Sequence, residues 1–225
     1  GLRKEVDVIA ILTKNEEFFT KSVIIATGKR SRPLDVPGEK DLVGKGLSYC
    51  SICDAPLFKN QDVAIIGGGN SGFTAAADLI NIANKIYVVN NLDKWQADPV
   101  LIEKAHSSGK FIPKLGYKVL EITGKDKVEG IKLRSIKTNE TELIKISGVF
   151  IEIGLIPNSE FVKGFLNLNK WQEIVIDNHC NTSVEGVFAA GDVTTVPEKQ
   201  IIVAAGEGAK AALSAYKYLL KQEIR

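Results

Sequence analysis

Methionine is missing altogether from the 225 residues, and only three cysteines and two histidines are present. Without even an initiator methionine, the chain reads as a processed or incomplete polypeptide. Three cysteines are too few for a disulfide scaffold, which points away from a small secreted domain and towards the cytoplasm. An excess of either charge is also lacking: 29 Lys+Arg stand against 27 Asp+Glu, a net charge of +2. That balance argues against nucleic acid or an anionic membrane surface as the partner. No apolar run approaches the roughly 20 residues needed to span a bilayer, and no signal-peptide pattern opens the chain. What is present is ordinary globular composition, 44% apolar and 25% charged, enough for one large domain or two of common size.

Read in order, Val6–Leu12 alternates as a strand, and Phe18-Phe19 opens a second segment. Val23–Gly28 is a short apolar run closed by glycine, as in a buried strand. Residues 29–46, rich in Arg, Lys, Pro and Gly, suggest a crossing between domains. From Val63 the pattern becomes strand, turn, helix (Asn70–Ala83) and strand (Lys85–Val89), with a further helix over Asp98–Ser107. This is a βαβ unit of a parallel nucleotide-binding sheet. Segments 117–123, 128–136 and 142–146 suggest an antiparallel meander, and Gly148–Gly154 a return to a buried strand. A helix from about Gln200 to Leu220 closes the chain, with small residues along it.

Two motifs carry chemistry. Gly67-x-Gly69-x-x-Gly72 follows a strand and opens a helix, with Asn70 and Ser71 inside the turn. Gly67 permits the tight turn, Gly69 lets backbone approach a pyrophosphate, and Gly72 lets helix and strand pack closely. The alternative is a structural glycine turn with no ligand. At the end of the next strand, Asn90-Asn91-Leu92-Asp93-Lys94 offers neither the acid that bonds the ribose of NAD nor an arginine cluster for NADP, so the donor stays open. Close ahead of the turn lies Cys50-Ser51-Ile52-Cys53-Asp54, with Cys53 fourteen positions before Gly67. A C-x-x-C pair can be a redox couple, half of a zinc site, or chance. Zinc would need Cys180, His179 or His106, which are scattered. The redox reading gains from Asp54, able to exchange a proton with the adjacent thiol, and from a helical turn over Cys50–Pro56 that would favour a thiolate. Cys180 reads as an ordinary small residue, and both histidines as surface residues in polar surroundings.

With these motifs the chain resembles the low-molecular-weight thioredoxin reductases, and is similar also to the flavoprotein subunit of alkyl hydroperoxide reductase. The resemblance runs from Val23 to Leu220. It is carried by Val23–Gly28, Val36-Pro37-Gly38-Glu39, Tyr49-Cys50-x-x-Cys53-Asp54, Gly67–Gly72, Gly154-Leu155-Ile156-Pro157-Asn158 and Gly186–Asp192. The stretch Thr194–Lys210 looks most like the peroxide-reductase branch.

The resemblance implies an α/β protein with two Rossmann-like domains, an FAD domain interrupted by an inserted NAD(P)H domain. Residues 1–35 and 157–225 would be the FAD segments, and 36–156 the NAD(P)H domain with the dithiol. Gly191 and Asp192 would bind FAD, Asp192 at its ribityl chain, and Gln200 and Ile201 would meet the flavin ring. Cys53 would exchange electrons with the flavin, Cys50 would attack the substrate disulfide, and Asp54 would be the general acid. Electrons would pass from a reduced nicotinamide through FAD and the dithiol to a thioredoxin-like or peroxiredoxin-system protein disulfide, in a homodimer. Two departures stand out. No glycine-rich turn precedes Val6, so the front of the FAD domain is expected to be absent, and a non-catalytic dinucleotide-binding fragment is the rival reading. The arginine pair expected for NADPH is replaced at Asn91 and Leu92, with Gln96 at a third basic position.

Overall fold

The computed structural model describes residues 1–223. The chain divides into two compact units, Gly1–Arg30 with the segment from Leu155 onward, and Ser31–Gly154 between them. The chain crosses five residues earlier than the expected boundary at 35/36, because Leu34 and Asp35 are tied into the second unit by hydrogen bonds to Glu39.

The first segment holds β1 (Leu2–Lys4), β2 (Ile9–Leu12) and β3 (Glu17–Thr20), an antiparallel sheet in that order. The strand expected over Val6–Leu12 forms only from Ile9, with Ile9 and Ala10 both buried rather than alternating, and Val6 is almost fully exposed. β4 (Val23–Ile25) and β5 (Lys29–Ser31) follow.

In the middle unit come α1 (Glu39–Leu42), β6 (Leu47–Ser48), α2 (Ser51–Asp54) with a 3-10 turn over Ala55–Phe58, β7 (Val63–Ile66), α3 (Asn70–Leu79), β8 (Ile86–Asn90), α4 (Pro99–Ser107) and β9 (Phe111–Leu115). Then β10 (Tyr117–Thr123), β11 (Gly130–Ser135) and β12 (Thr141–Lys145) form an antiparallel meander before β13 (Gly148–Ile151). Its main sheet runs β6-β13-β7-β8-β9, every pair parallel. Every residue of β7 and β13 is buried, the mark of a parallel sheet covered on both faces. Alternate residues divide the core. Ala64, Ile66, Val89, Val149 and Ile151 pack with Ile122, Ile131 and Leu133 of the meander. Val63, Ile65, Ile86, Val88 and Phe150 pack with Phe73, Ala76 and Leu79 of α3 and Ala105 of α4. Helix α3 stops at Leu79, short of the expected Ala83. There Lys110 donates through Nζ to the carbonyls of Ile80 and Ala83 at 2.8 and 2.7 Å, taking up the orphan acceptors of the helix end.

The returning segment supplies β14 (Leu155–Pro157), β15 (Val187–Ala189) and α5 (Ile201–Glu223). β15 pairs parallel with β4, and β14 is hydrogen-bonded beside β5. Val187 and Ala189 face a core of Ile9, Ile25, Val162 and Ile174. Phe188, on the opposite face, packs with Ala211 and Ala215 of α5, where the small residues let the helix lie close. Among the described residues no helix is long and apolar enough to cross a membrane.

Candidate functional site

In the middle unit, β7 leads into the glycine turn and α3 leaves it. Gly67, at φ 135°, adopts backbone closed to L side chains, and a Cβ there would fall on the Glu152 carbonyl. A Cβ on Gly72 would fall on the Gly67 carbonyl, so strand and helix touch through these two glycines. At Gly69 nothing stands within 4 Å of a Cβ. No side chain caps the start of α3. Its first N–H groups, with the helix dipole, therefore face an open cavity of about 330 Å³ lined by Gly67–Ser71, Asn90, Gln96 and Glu152–Gly154. A glycine wall, free N–H donors and open space fit a dinucleotide pyrophosphate.

Two predicted turn residues behave differently from each other. The Asn70 side chain is taken up by Asp98, its Nδ2 donating to the carboxylate at 3.1 Å and its Oδ1 accepting from the Asp98 N–H at 2.8 Å. Only its backbone remains for a ligand. Ser71 is exposed at the cavity rim. Asn90, at the end of β8, is buried and donates to the Lys94 carbonyl at 2.8 Å and to Gln96 Oε1 at 3.2 Å. It folds the 91–96 loop back over Gly68, whose carbonyl accepts from the Gln96 N–H at 2.8 Å. The strand end thus presents no acid and no arginine.

Cys50 and Cys53 are joined to each other, their Cα atoms 5.4 Å apart. Cys50 caps α2: its Sγ accepts from the Cys53 N–H at 3.3 Å, and its own N–H donates to Ser48 Oγ at 3.0 Å. The helical turn expected from Cys50 is present, continuing as 3-10 through Phe58. Cys53 is exposed, Cys50 half-buried, and Ile52 and Leu57 stand out beside them, 64% and 70% exposed. Asp54 ends the helix, half-buried. Ser51 ties the dithiol to the nucleotide turn, donating through Oγ to Asp78 of α3 at 2.9 Å. Glu152 lies at the same place. Burial pushes its carboxyl up to about 7, the Ser51 backbone N–H pulls the other way, and Asp78 raises it further. Sequence reasoning passed over Glu152, because nothing in Gly148–Gly154 marks one acid after a buried strand as special.

Glu39 is a second missed group. Fully buried, it accepts from the N–H groups of Leu34 and Asp35 at 2.9 and 2.7 Å and from the Tyr49 hydroxyl at 2.7 Å. Burial and then this carboxylate drive the Tyr49 phenol above its ordinary range. The residue before Cys50 is thereby pinned to the loop that opens the unit.

The other predicted residues lie in the outer unit. Gly191 has φ 71° and, with Asp192, forms a 3-10 turn after β15, closed by the Thr194 N–H and hydroxyl on the Gly191 carbonyl. Asp192 is half-buried, and its carboxylate makes no hydrogen bond among the described residues. Gln200 and Ile201 start α5, with Ile201 92% exposed. A carboxylate without a hydrogen bond, in the field of Lys199 and beside an exposed helix start, fits a polar chain carrying a flat ring. Behind them, Lys29, Glu173 and Lys199 form a nearly buried ion cluster, with Lys29–Glu173 at 2.5 Å and Lys199–Glu173 at 3.4 Å. Burial, then Lys29, lowers the Lys199 ammonium. Cys180 is buried against Glu207, and burial, then that carboxylate, raises its thiol to about 11. His106 is exposed, and its ring meets Phe111 edge-on with centroids 4.5 Å apart.

Residues 2–208 match the family model described as pyridine nucleotide-disulphide oxidoreductase. The chain is 46% identical over 202 residues to an alkyl hydroperoxide reductase subunit of Staphylococcus aureus, covering 90% of this chain and 40% of that protein. It is also 46% identical over 216 residues to a protein named NADH dehydrogenase from Ferdinandcohnia aciditolerans, covering 96% and 42%. Among solved structures, thioredoxin reductase of Streptococcus pyogenes superposes with a TM-score of 0.89 at 35% identity, covering 98% of this chain and 72% of that one. The chain thus spans about two fifths of the length of the first two relatives. A disulfide one residue from the side chain that binds α3, a glycine turn at the head of that helix and these matches agree: the chain belongs to the pyridine nucleotide-disulphide oxidoreductase family, in the group that holds the thioredoxin reductases and this alkyl hydroperoxide reductase component.

Proposed function

We propose that this chain serves a flavin-dependent disulfide reductase, drawing electrons from a reduced nicotinamide and delivering them through Cys50 and Cys53 to a protein disulfide. One observation carries the reading: the dithiol and the glycine turn are joined within a single compact unit by the Ser51–Asp78 hydrogen bond. FAD, when bound, supplies the two-electron chemistry that links nicotinamide to disulfide. The chain's own residues bind, orient and hold protons. Gly67, Gly69, Gly72 and the backbone of Asn70 and Ser71 hold the pyrophosphate. Gly191, Asp192, Gln200 and Ile201 would hold FAD, Asp192 through a carboxylate that makes no hydrogen bond among the described residues. With FAD bound, Cys53 would be the sulfur reduced through it, Cys50 would attack the partner disulfide, and Asp54 would exchange the thiol proton. The domains are read as FAD-binding for 1–35 and 157–225 and NAD(P)H-binding for 36–156. The lack of strand-end arginines and the relative named NADH dehydrogenase both support NADH as donor. A cytoplasmic homodimer completes the reading.

Anaerobic titration of the FAD-loaded protein with NADH and with NADPH tests it. Flavin absorbance should bleach, with NADH the better donor, and a thioredoxin disulfide or a peroxiredoxin disulfide should be reduced. Cys50→Ser and Cys53→Ser should keep the bleaching and lose the disulfide reduction. A variant that still reduces the partner refutes the assignment. The 46% identity to the peroxide-reductase component supports a peroxiredoxin-system protein as the second form of the reading.

A further inference from the structure

The dithiol helix begins between two carboxylates that the reading above leaves unused. Ser51, the first residue of α2, turns its hydroxyl to Asp78 at 2.9 Å and its backbone N–H towards Glu152. Glu152 also lines the cavity of the glycine turn, and its carbonyl is the atom that keeps Gly67 free of a side chain. Its carboxylate is therefore held one peptide unit from Cys50, on a backbone that cannot shift without disturbing the turn. We propose that Glu152 is a positioning residue of the dithiol, taking up a proton when the Cys50–Cys53 disulfide is reduced and so setting the pH dependence of that reduction. The inference rests on the disulfide-reductase reading and adds a proton-holding group to it.

Electrostatics gives the sign. Two electrons break the Sγ–Sγ bond, and the Cys50 sulfur, already accepting from the Cys53 N–H, is favoured as thiolate. One proton goes to the other sulfur. The new negative charge makes a second anion at Glu152 harder to keep, so the carboxylate draws the second proton in part. Of the groups facing Glu152, the charged ones push this way, against the single Ser51 N–H that favours the anion. Asp78 of α3 is an anion, α2 brings the cysteines with Asp54 at its far end, and the cavity wall contributes only the neutral side chains of Asn70, Ser71, Asn90 and Gln96. Among the described residues no cation lines that cavity. With its carboxyl already pushed up to about 7, Glu152 titrates where a small added charge changes its occupancy most.

The test is the equilibrium of the disulfide with dithiothreitol buffers, read by thiol alkylation, in the wild type and Glu152→Gln. Effects on the reagent cancel in the ratio of the two equilibrium constants. At about pH 6, where Glu152 is protonated, the ratio should be near one. By about pH 9 the variant should be reduced more readily, about tenfold for one unit of coupling between carboxylate and thiolate. Asp78→Asn should move the onset of this divergence to lower pH. A ratio that stays flat across the range, at one or at any other value, overturns the inference, since a structural role shifts the level and not the slope. Nuclear magnetic resonance titration of a labelled Glu152 carboxyl in the unmutated protein decides independently: its midpoint should rise on reduction, and an unchanged midpoint refutes the proposal. If no dithiothreitol concentration opens the disulfide in either protein, the reductase reading itself falls.

Discussion

At Gly72 a side chain would run into the Gly67 carbonyl, whereas at Gly69 there is open space and φ is −96°, comfortable for any residue. Substitution therefore separates folding from binding inside one turn. Gly72→Ala should lose about 3 kcal/mol of stability in urea unfolding, because backbone must move to admit the methyl group. Gly69→Ala should unfold like the wild type yet bind dinucleotide about tenfold more weakly by calorimetry, as the methyl group occupies the phosphate's approach. Glu39 offers a second test at this scale. Its carboxylate answers three donors while fully buried. Glu39→Ala should cost about 3 kcal/mol, since those donors lose their acceptor, and Tyr49→Phe only about 1 kcal/mol, since one bond goes and no donor is stranded. Glu39 was visible in the sequence as part of Val36-Pro37-Gly38-Glu39, but its role was not. The partners that define it, Leu34 and Tyr49, are separated from it by five and ten residues, a relation that no local pattern encodes.

Between elements, the cluster of Lys29, Glu173 and Lys199 joins β5 and the lead-in to α5 through one carboxylate. Burial alone would raise Glu173, but the Lys29 and Asn169 hydrogen bonds and Lys199 hold it below the usual range. A depressed carboxylate stabilises the fold fully above its unfolded value and loses that contribution as pH falls through the folded one. Glu173→Gln should thus cost about 3 kcal/mol near neutrality, leaving two ammonium groups uncompensated. In thermal unfolding the gap to the wild type should hold between about pH 6 and pH 8 and close below about pH 4. Elements were legible where the chain's period matched its surroundings. β7 and β13 are unbroken apolar runs because both faces are covered, and β10–β12 alternate because only one is. β9 was not read at all: Pro113 and Lys114 interrupt its pattern, which an edge position tolerates because one side of the strand needs no ladder partner. Likewise β6 is two residues long and owes its existence to β13 beside it. The motif residues were found by spacing, but Asn70's diversion to Asp98 and the Ser51–Asp78 link depend on contacts across 28 and 27 residues.

For the molecule as a whole, the decisive fact is that the middle unit is one uninterrupted stretch while the outer one is two. Ser31–Gly154 contains a complete five-stranded parallel sheet with a core on each face. Its two ends meet, the Arg32 N–H donating to the Gly154 carbonyl at 3.0 Å. Nothing in the path of its chain has to be cut to release it, and it is of ordinary domain size. The outer unit, by contrast, builds its parallel pair from β4 and β15, strands far apart in sequence, and its Ile24 and Ile201 sides are open. Its two buried clusters are also smaller than either core of the middle unit, leaving it less apolar burial to offset chain entropy. Residues 31–154 expressed alone should therefore unfold in one cooperative transition, exchange the Cys50–Cys53 disulfide with dithiothreitol and bind dinucleotide by calorimetry. Residues 1–30 joined to 155–225 by a short linker should populate the folded state less, seen as weaker protection of amide hydrogens in β4 and β15. Should the middle stretch fail to fold while the joined outer segments succeed, the organisation of core and function around the central sheet would be wrong.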